Sequence, residues 1–219
     1  MSATELLHLA RGPLLDIAIA IFVLGLAVRL LEIFMLGRKP DLSEPRDGQW
    51  LHGLKTIVLR SRLTPEGSRE IPTALVLGYI FHIGFFVVLL LFVPHIELFR
   101  ASLGVSWPGL PTLVIDATTV VTLIAMLAVL GHRLLDPVKR FLARFEDYLV
   151  WLVTFLPLLS GYVAFHRMFG PYALVLALHI LTVELFLVVF PFTKLIHAVT
   201  VFAARWYNGA IAGRRGVQS

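Results

Sequence analysis

Apolar residues run along this chain in long blocks, with neither the polar stripe of a surface helix nor the alternation of a half-buried strand. Five blocks stand out: Pro13–Leu36, Pro72–Val93, Pro111–Leu130, Tyr148–Phe165 and Tyr172–Phe192, the last expected to run on towards Phe202. A helix that crosses a bilayer needs about 20 predominantly apolar residues. Each block has that length, or in the case of the fourth falls short by less than a turn. The missing strand alternation argues against a barrel. In hydrocarbon, backbone N–H and C=O groups then find partners only within helices. The pattern predicts an all-α integral membrane protein, a five-transmembrane-helix bundle forming one domain over residues 1–219. The polar first loop, Gly37–Ile71, is long for a simple connection, and its Trp50–Leu63 part is expected to lie as an amphipathic segment at the membrane surface. Met1–Arg11 has no basic stretch ahead of an apolar run, so it is not expected to be a cleavable signal.

Composition sharpens this picture. The chain is 58% hydrophobic and 15% charged, with a mean hydropathy of +0.85. A water-soluble domain carries about a quarter charged residues, so the polar coat of a soluble fold is missing. There is no cysteine, which excludes disulfides, thiolate zinc sites and Cys-ligated iron–sulfur clusters. The net charge of +5 resembles that of a nucleic-acid binder, but its distribution explains it otherwise. Fifteen Lys and Arg residues fall in the first loop, the third loop (Arg133, Lys139, Arg140, Arg144) and the tail (Lys194, Arg205, Arg214, Arg215). Only Arg11, Arg100 and Arg167 lie on the opposite side. The positive-inside rule then predicts the N-terminus outside and the C-terminus inside a cell's cytoplasmic (inner) membrane.

Candidate chemistry rests on the eight histidines. His8 and His52 lie in terminal or loop sequence and His132 beside Arg133, all expected to be solvated or interfacial. His166, directly after the fourth block at its outer end, is expected to be interfacial and is kept as a spare ligand. His82, His95, His179 and His197 remain. Ionisable side chains inside a membrane are costly and usually face the bundle interior. Eighteen residues separate His179 from His197, which on one continuous helix is five turns, a rise of about 27 Å with both rings on one face. That spacing suits two b haems stacked across the bilayer, each iron held by an imidazole from each of two helices. The chain directions pair His82 with His197 at the inner level and His95 with His179 at the outer. Thirteen residues part His82 from His95, a rotation of roughly 220°, so Pro94 either bends the helix and re-aims His95 or marks it as a loop residue.

These residues resemble the gamma subunit of respiratory nitrate reductase, a membrane dihaem cytochrome b. The string Phe81-His82-Ile83-Gly84 is similar to the family's inner-haem motif. His179, then Leu185-Phe186-Leu187, then Phe190-Pro191-Phe192-Thr193-Lys194-Leu195 and His197 resemble its helix 5 pattern, which related heterodisulfide-reductase-like cytochromes share. The resemblance implies two b haems, quinol or quinone as substrate, and electrons passed to a cytoplasmic iron–sulfur or catalytic redox subunit in a hetero-oligomeric respiratory oxidoreductase. The chain departs from the family in helix 2, where Phe92 stands at the second ligand's position. Either His95 substitutes, or His166 does, or a single haem is bound.

Asp116 and Glu184 sit at membrane depth and are candidates for a quinone or proton site, or for neutral acids tying two helices together. Arg29 is expected either to pair with a haem propionate or to snorkel to the headgroups. Pro157 and Pro191 are expected to kink their helices, and Gly84 and Gly161 to give room to a haem or a neighbouring helix. Two rival readings stand beside the cytochrome: a haem-free membrane anchor, and a proton-coupled transporter using the histidines and Glu184. Transporters of that kind often show repeated halves, and no internal repeat is present.

Overall fold

In the computed structural model, residues 1–36, 44, 46, 48–61 and 73–217 are described. Gly37, Leu63, Ile71 and Pro72, named above from the sequence, lie outside them. All regular structure among the described residues is helical. Among the described residues four helical stretches are long and apolar enough to cross a bilayer: Ala3–Met35, Thr112–Leu135, Phe145–Phe165 and Tyr172–Phe192. A further pair, Leu75–Leu91 and Val93–Leu103, meets the same test jointly but is bent by 59°. The chain is therefore an all-helical membrane protein. It divides into two compact units.

The first unit comprises Met1–Phe22 and Pro72–Val189. Ser2 opens α1 (Ala3–Leu9) with a reciprocal cap: its hydroxyl accepts from the Glu5 N–H, and the Glu5 carboxylate accepts from the Ser2 N–H. Pro13 lacks an N–H and cannot continue the ladder. The backbone widens there into a π turn, Ala10–Leu14, before α2 (Leu15–Met35) resumes. After α3 (Gln49–Leu59), which belongs to the second unit, come α4 (Thr73–Leu91), α5 (Val93–Leu103), α6 (Thr112–Leu135), the short α7 (Pro137–Leu142), α8 (Phe145–Phe165) and α9 (Tyr172–Val189). α4 packs on α6, α6 on α8, α8 on α9, and α9 on α1 and the π turn.

Close approach between these helices uses small residues, as expected where lipid supplies no hydrophobic drive. Gly84 of α4 lies against the Thr122 side chain of α6, where a Cβ would collide. The room at Gly84 thus goes to a neighbouring helix. Trp151 of α8 donates its indole N–H to the Met126 carbonyl of α6 at 2.9 Å. Between α6 and α8, Asp136 caps α7 by accepting from the Val138 and Lys139 N–H groups. The Lys139 N–H, foremost among its partners, holds the Asp136 carboxyl below the usual carboxylate range. Arg133 and Asp147 pair across the same turn at 3.3 Å.

Val23–Ile71 and Phe190–Ser219 form the second unit. The fifth block does not run on as one helix. α9 ends at Val189, two 3₁₀ turns follow (Phe190–Phe192 and Lys194–Ile196), and α10 (His197–Arg215) begins at His197 itself. Pro191 removes a backbone donor at this break. It packs against Gly25 of α2, whose missing Cβ leaves the space. Arg29 donates from Nε to the Pro191 carbonyl at 3.2 Å and from Nη1 to Glu32 at 2.8 Å. One of its donors thus serves the break and another an ion pair on its own helix.

The expected amphipathic segment of the first loop is helix α3, and it packs along α10. Here too the contact runs through small residues. Gly209 lies against Thr56 and the His52 carbonyl, Gly213 against the His52 side chain, and Gly53 against Trp206. Trp50 and Trp206 meet edge to face at 4.9 Å, and Arg205 donates to the Ser61 hydroxyl at 2.6 Å. The C-terminal segment is thus a packed helix rather than an exposed tail. A branched side chain at Gly209 or Gly213 must push α3 away, and overpacking of this kind costs about 1–3 kcal/mol. Gly209→Val and Gly213→Val should each lower the denaturation midpoint and shift tryptophan emission, whereas Gly131→Val, at a glycine with open space around it, should leave both unchanged.

Candidate functional site: an imidazole pair beside a helix break

The break between α4 and α5 builds the site. Phe92 is extended (φ −83°, ψ 123°), and Pro94 sits in the first turn of α5, a position proline tolerates because the first N–H groups of a helix are unpaired anyway. The last carbonyls of α4 lose their in-helix partners at such an end, and in lipid they need others. Leu91 accepts from the Leu110 N–H at 2.9 Å. Leu90 accepts from the Trp107 indole, and Val88 accepts from His95 Nδ1 at 3.1 Å. His95 is therefore a helical residue, aimed by the carbonyl it satisfies.

So aimed, the His95 ring stands opposite His179 of α9. Their centroids are 6.3 Å apart and their planes 21° from parallel. His179 lies flat over Gly161 of α8, where a Cβ would sit 3.0 Å from its ring; the space at this glycine goes to the imidazole. Its Nδ1 is 3.2 Å from the Ser160 hydroxyl, which also meets Thr182 Oγ1 at 2.9 Å. Phe92 closes one side of the pair, edge-on to His95 at 5.2 Å and to Phe165 at 5.0 Å.

His82 of α4 holds its Nδ1 on the Gly78 carbonyl at 2.6 Å, and His197, at the start of α10, holds its Nδ1 on the Lys194 carbonyl at 2.6 Å. His82 belongs to the first unit and His197 to the second. Because α9 and α10 are separate helices, the eighteen-residue spacing does not fix the facing of His197 relative to His179. The five-turn geometry expected from the sequence is corrected on this point by the break at Phe190–Ile196.

The four candidate ligands share a chemical feature that sequence reading missed. Each engages a protein oxygen through Nδ1. A carbonyl only accepts, so in His82, His95 and His197 Nδ1 carries a proton and Nε2 is the nitrogen turned away from that carbonyl. Metal-ligating histidines are oriented in this way, the ring N–H opposite the metal held by a carbonyl, carboxylate or water. Two other histidines use the other nitrogen. His132 meets Lys139 Nζ through Nε2 at 2.6 Å, and His166 donates from Nε2 to Asp116 Oδ1 at 3.1 Å.

Among the described residues no three His, Asp or Glu side chains converge to hold a metal ion. An axial pair needs only two. Imidazole–metal bonds of about 2 Å put the ring centres of a bis-imidazole site about 6 Å apart, and the 6.3 Å between His95 and His179 matches that separation. Glu184, one turn and a half beyond His179 on α9, is buried at 7% exposure, and its Oε1 has no hydrogen-bond partner among the described residues. Asp116 lies elsewhere in the first unit, in α6, against His166.

No family model and no solved structure matches the chain. A curated protein of Nitratidesulfovibrio vulgaris (strain Hildenborough), named only "Protein", is 31% identical over 209 residues, which cover 90% of this chain and 89% of the relative. Likeness at that level over nearly the whole of both chains means that this membrane protein belongs to one family with the Nitratidesulfovibrio vulgaris protein.

Proposed function

We propose that this chain is a membrane cytochrome b subunit of a respiratory oxidoreductase, moving electrons between the quinone pool and a cytoplasmic iron–sulfur or catalytic partner. The observation that carries the reading is the His95–His179 pair, 6.3 Å between ring centres, with Nδ1 of each ring tied to the protein. These two residues would hold an outer b haem, and His82 and His197 an inner one, the latter pair assigned on the sequence pattern. A bound b haem supplies one-electron transfer.

The chain's own residues do the rest. The Val88 carbonyl and Ser160 hydroxyl fix the two rings, so little reorganisation is left for ligand binding. Phe92 and Phe165 keep the surroundings apolar, and Gly161 leaves room for His179. With the bent α4–α5 pair counted as one crossing, the chain has five spans, and its basic loops put the N-terminus outside a cytoplasmic (inner) membrane. The outer level is then where a quinol is oxidised, with Asp116 in reach of released protons.

A haem wire without a nucleotide site or thiolate cluster of its own needs an acceptor at the inner surface. α3 and α10 present Lys55, Arg60 and Arg215 there, a surface suited to an acidic face of the partner. Truncating the C-terminus is a poor probe of that contact. It would also remove Gly209, Ala210 and Gly213, which are buried.

A reduced-minus-oxidised spectrum of the purified protein tests the reading, with two low-spin b haems per chain expected. His95→Ala and His179→Ala should each halve the haem content, and Gly161→Val should do the same by displacing the His179 ring. His82→Ala and His197→Ala should each remove the other haem. A wild-type protein without haem, expressed with haem available, sinks the proposal. For the partner, wild type in mild detergent should co-purify with an iron–sulfur protein, and Lys55→Glu with Arg60→Glu should weaken that association at least tenfold while both haems stay bound.

A further inference from the structure

The structure joins Asp116 of α6 and His166, the residue that caps the C-terminus of α8, fifty residues apart in sequence, at 3.1 Å. The carboxylate can only accept, so His166 Nε2 carries the proton and Nδ1 is the basic nitrogen. No hydrogen bond reaches Nδ1 among the described residues. The two side chains are 34% and 27% exposed, so the dyad is open to a ligand.

Its surroundings are aromatic. The His166 ring touches Tyr162 at 4.4 Å and Phe165 at 5.3 Å. From Phe165, successive ring contacts lead to Phe92 at 5.0 Å, His95 at 5.2 Å and His179 at 6.3 Å. A basic nitrogen beside aromatic faces, a few rings from an imidazole pair, suits a planar aromatic diol. The ionisable groups in contact with the His166 ring are Asp116 and Tyr162; Arg167, next in the chain, turns to the Tyr172 ring.

Resting on the cytochrome reading, we infer that His166 is the proton acceptor for a membrane hydroquinone and that Asp116 is the positioning residue that sets its tautomer. The hydroquinone ring lies against Phe165 with a hydroxyl on His166 Nδ1. The O–H bond breaks as an N–H bond forms on Nδ1, and the electron passes to a ferric haem, the one-electron oxidant of that reading. Once His166 has released its proton outward, a second such step completes the quinone, with two protons and two electrons given up in all. Asp116 stabilises the imidazolium formed each time, as a carboxylate does behind any general-base histidine.

The test uses the full chain in detergent with a short-tailed naphthoquinol as probe. Haem content, naphthoquinol binding by anaerobic equilibrium dialysis, and quinol-driven haem reduction against pH are measured separately. His166→Gln should keep both haems, bind the probe about tenfold more weakly, and slow reduction at least a hundredfold, within the range for a lost general base. Asp116→Asn should slow it about tenfold. Asp116→Asn should bind the probe as the wild type does, so that its loss falls on the reduction rate and not on binding.

Loss of haem in His166→Gln makes the residue a ligand and overturns the inference. Unchanged binding and reduction with full haem content overturns it too, and leaves the cytochrome reading standing. A haem-free wild type overturns the cytochrome reading and the electron step. Weakened probe binding in His166→Gln would then still support the hydroxyl site.

Discussion

A helix broken inside a bilayer has a problem that water would otherwise solve. Its last carbonyls face hydrocarbon, and each one left unpaired costs about several kcal/mol. At the break after Leu91 the protein answers with three donors of different kinds: the Leu110 N–H, the Trp107 indole and His95 Nδ1. The last of these does two things. It satisfies the Val88 carbonyl, and it turns the His95 ring to face His179. The candidate site is in this sense part of the repair of the break.

The second break follows the same rule by other means. Pro191 interrupts the apolar run after α9, and Arg29 supplies a donor to its carbonyl. Gly25 lets the proline ring come close. The chain leaves this turn as α10, which finds its partner in α3 through Gly53, Gly209 and Gly213. Glycines recur at the α4–α6, α8–α9 and α3–α10 contacts, and in each place the Cβ they lack is the space a neighbour fills.

Polar side chains within the first unit are mostly held by the backbone. Thr119, Thr122 and Thr154 each return a hydrogen bond to the carbonyl four residues back. Against that background three features are unusual: the His95–His179 pair, the Asp116–His166 dyad and the buried Glu184 oxygen, which has no partner among the described residues. Uncompensated or specially oriented polar groups are expensive in an apolar surrounding. Such groups mark the place where function is to be sought, and all three lie in one unit.

Length and hydropathy alone gave the membrane-spanning stretches, because crossing a bilayer is a demand on local composition. The helix in the first loop was legible for the same reason, and the spacing of His82, His95, His179 and His197 could be read off the chain. The facing of those histidines was not. The eighteen-residue interval from His179 to His197 carries a helical phase only if the helix is unbroken, and the turns at Phe190–Ile196 interrupt it. Nor does the sequence say that His95 reaches the Val88 carbonyl, that Arg29 serves Pro191, or that His166 meets Asp116 across fifty residues. Local composition sets whether a segment is a helix in lipid. Which donor meets which stranded carbonyl, and which ring then faces which, depends on how distant helices pack, and no local pattern encodes that.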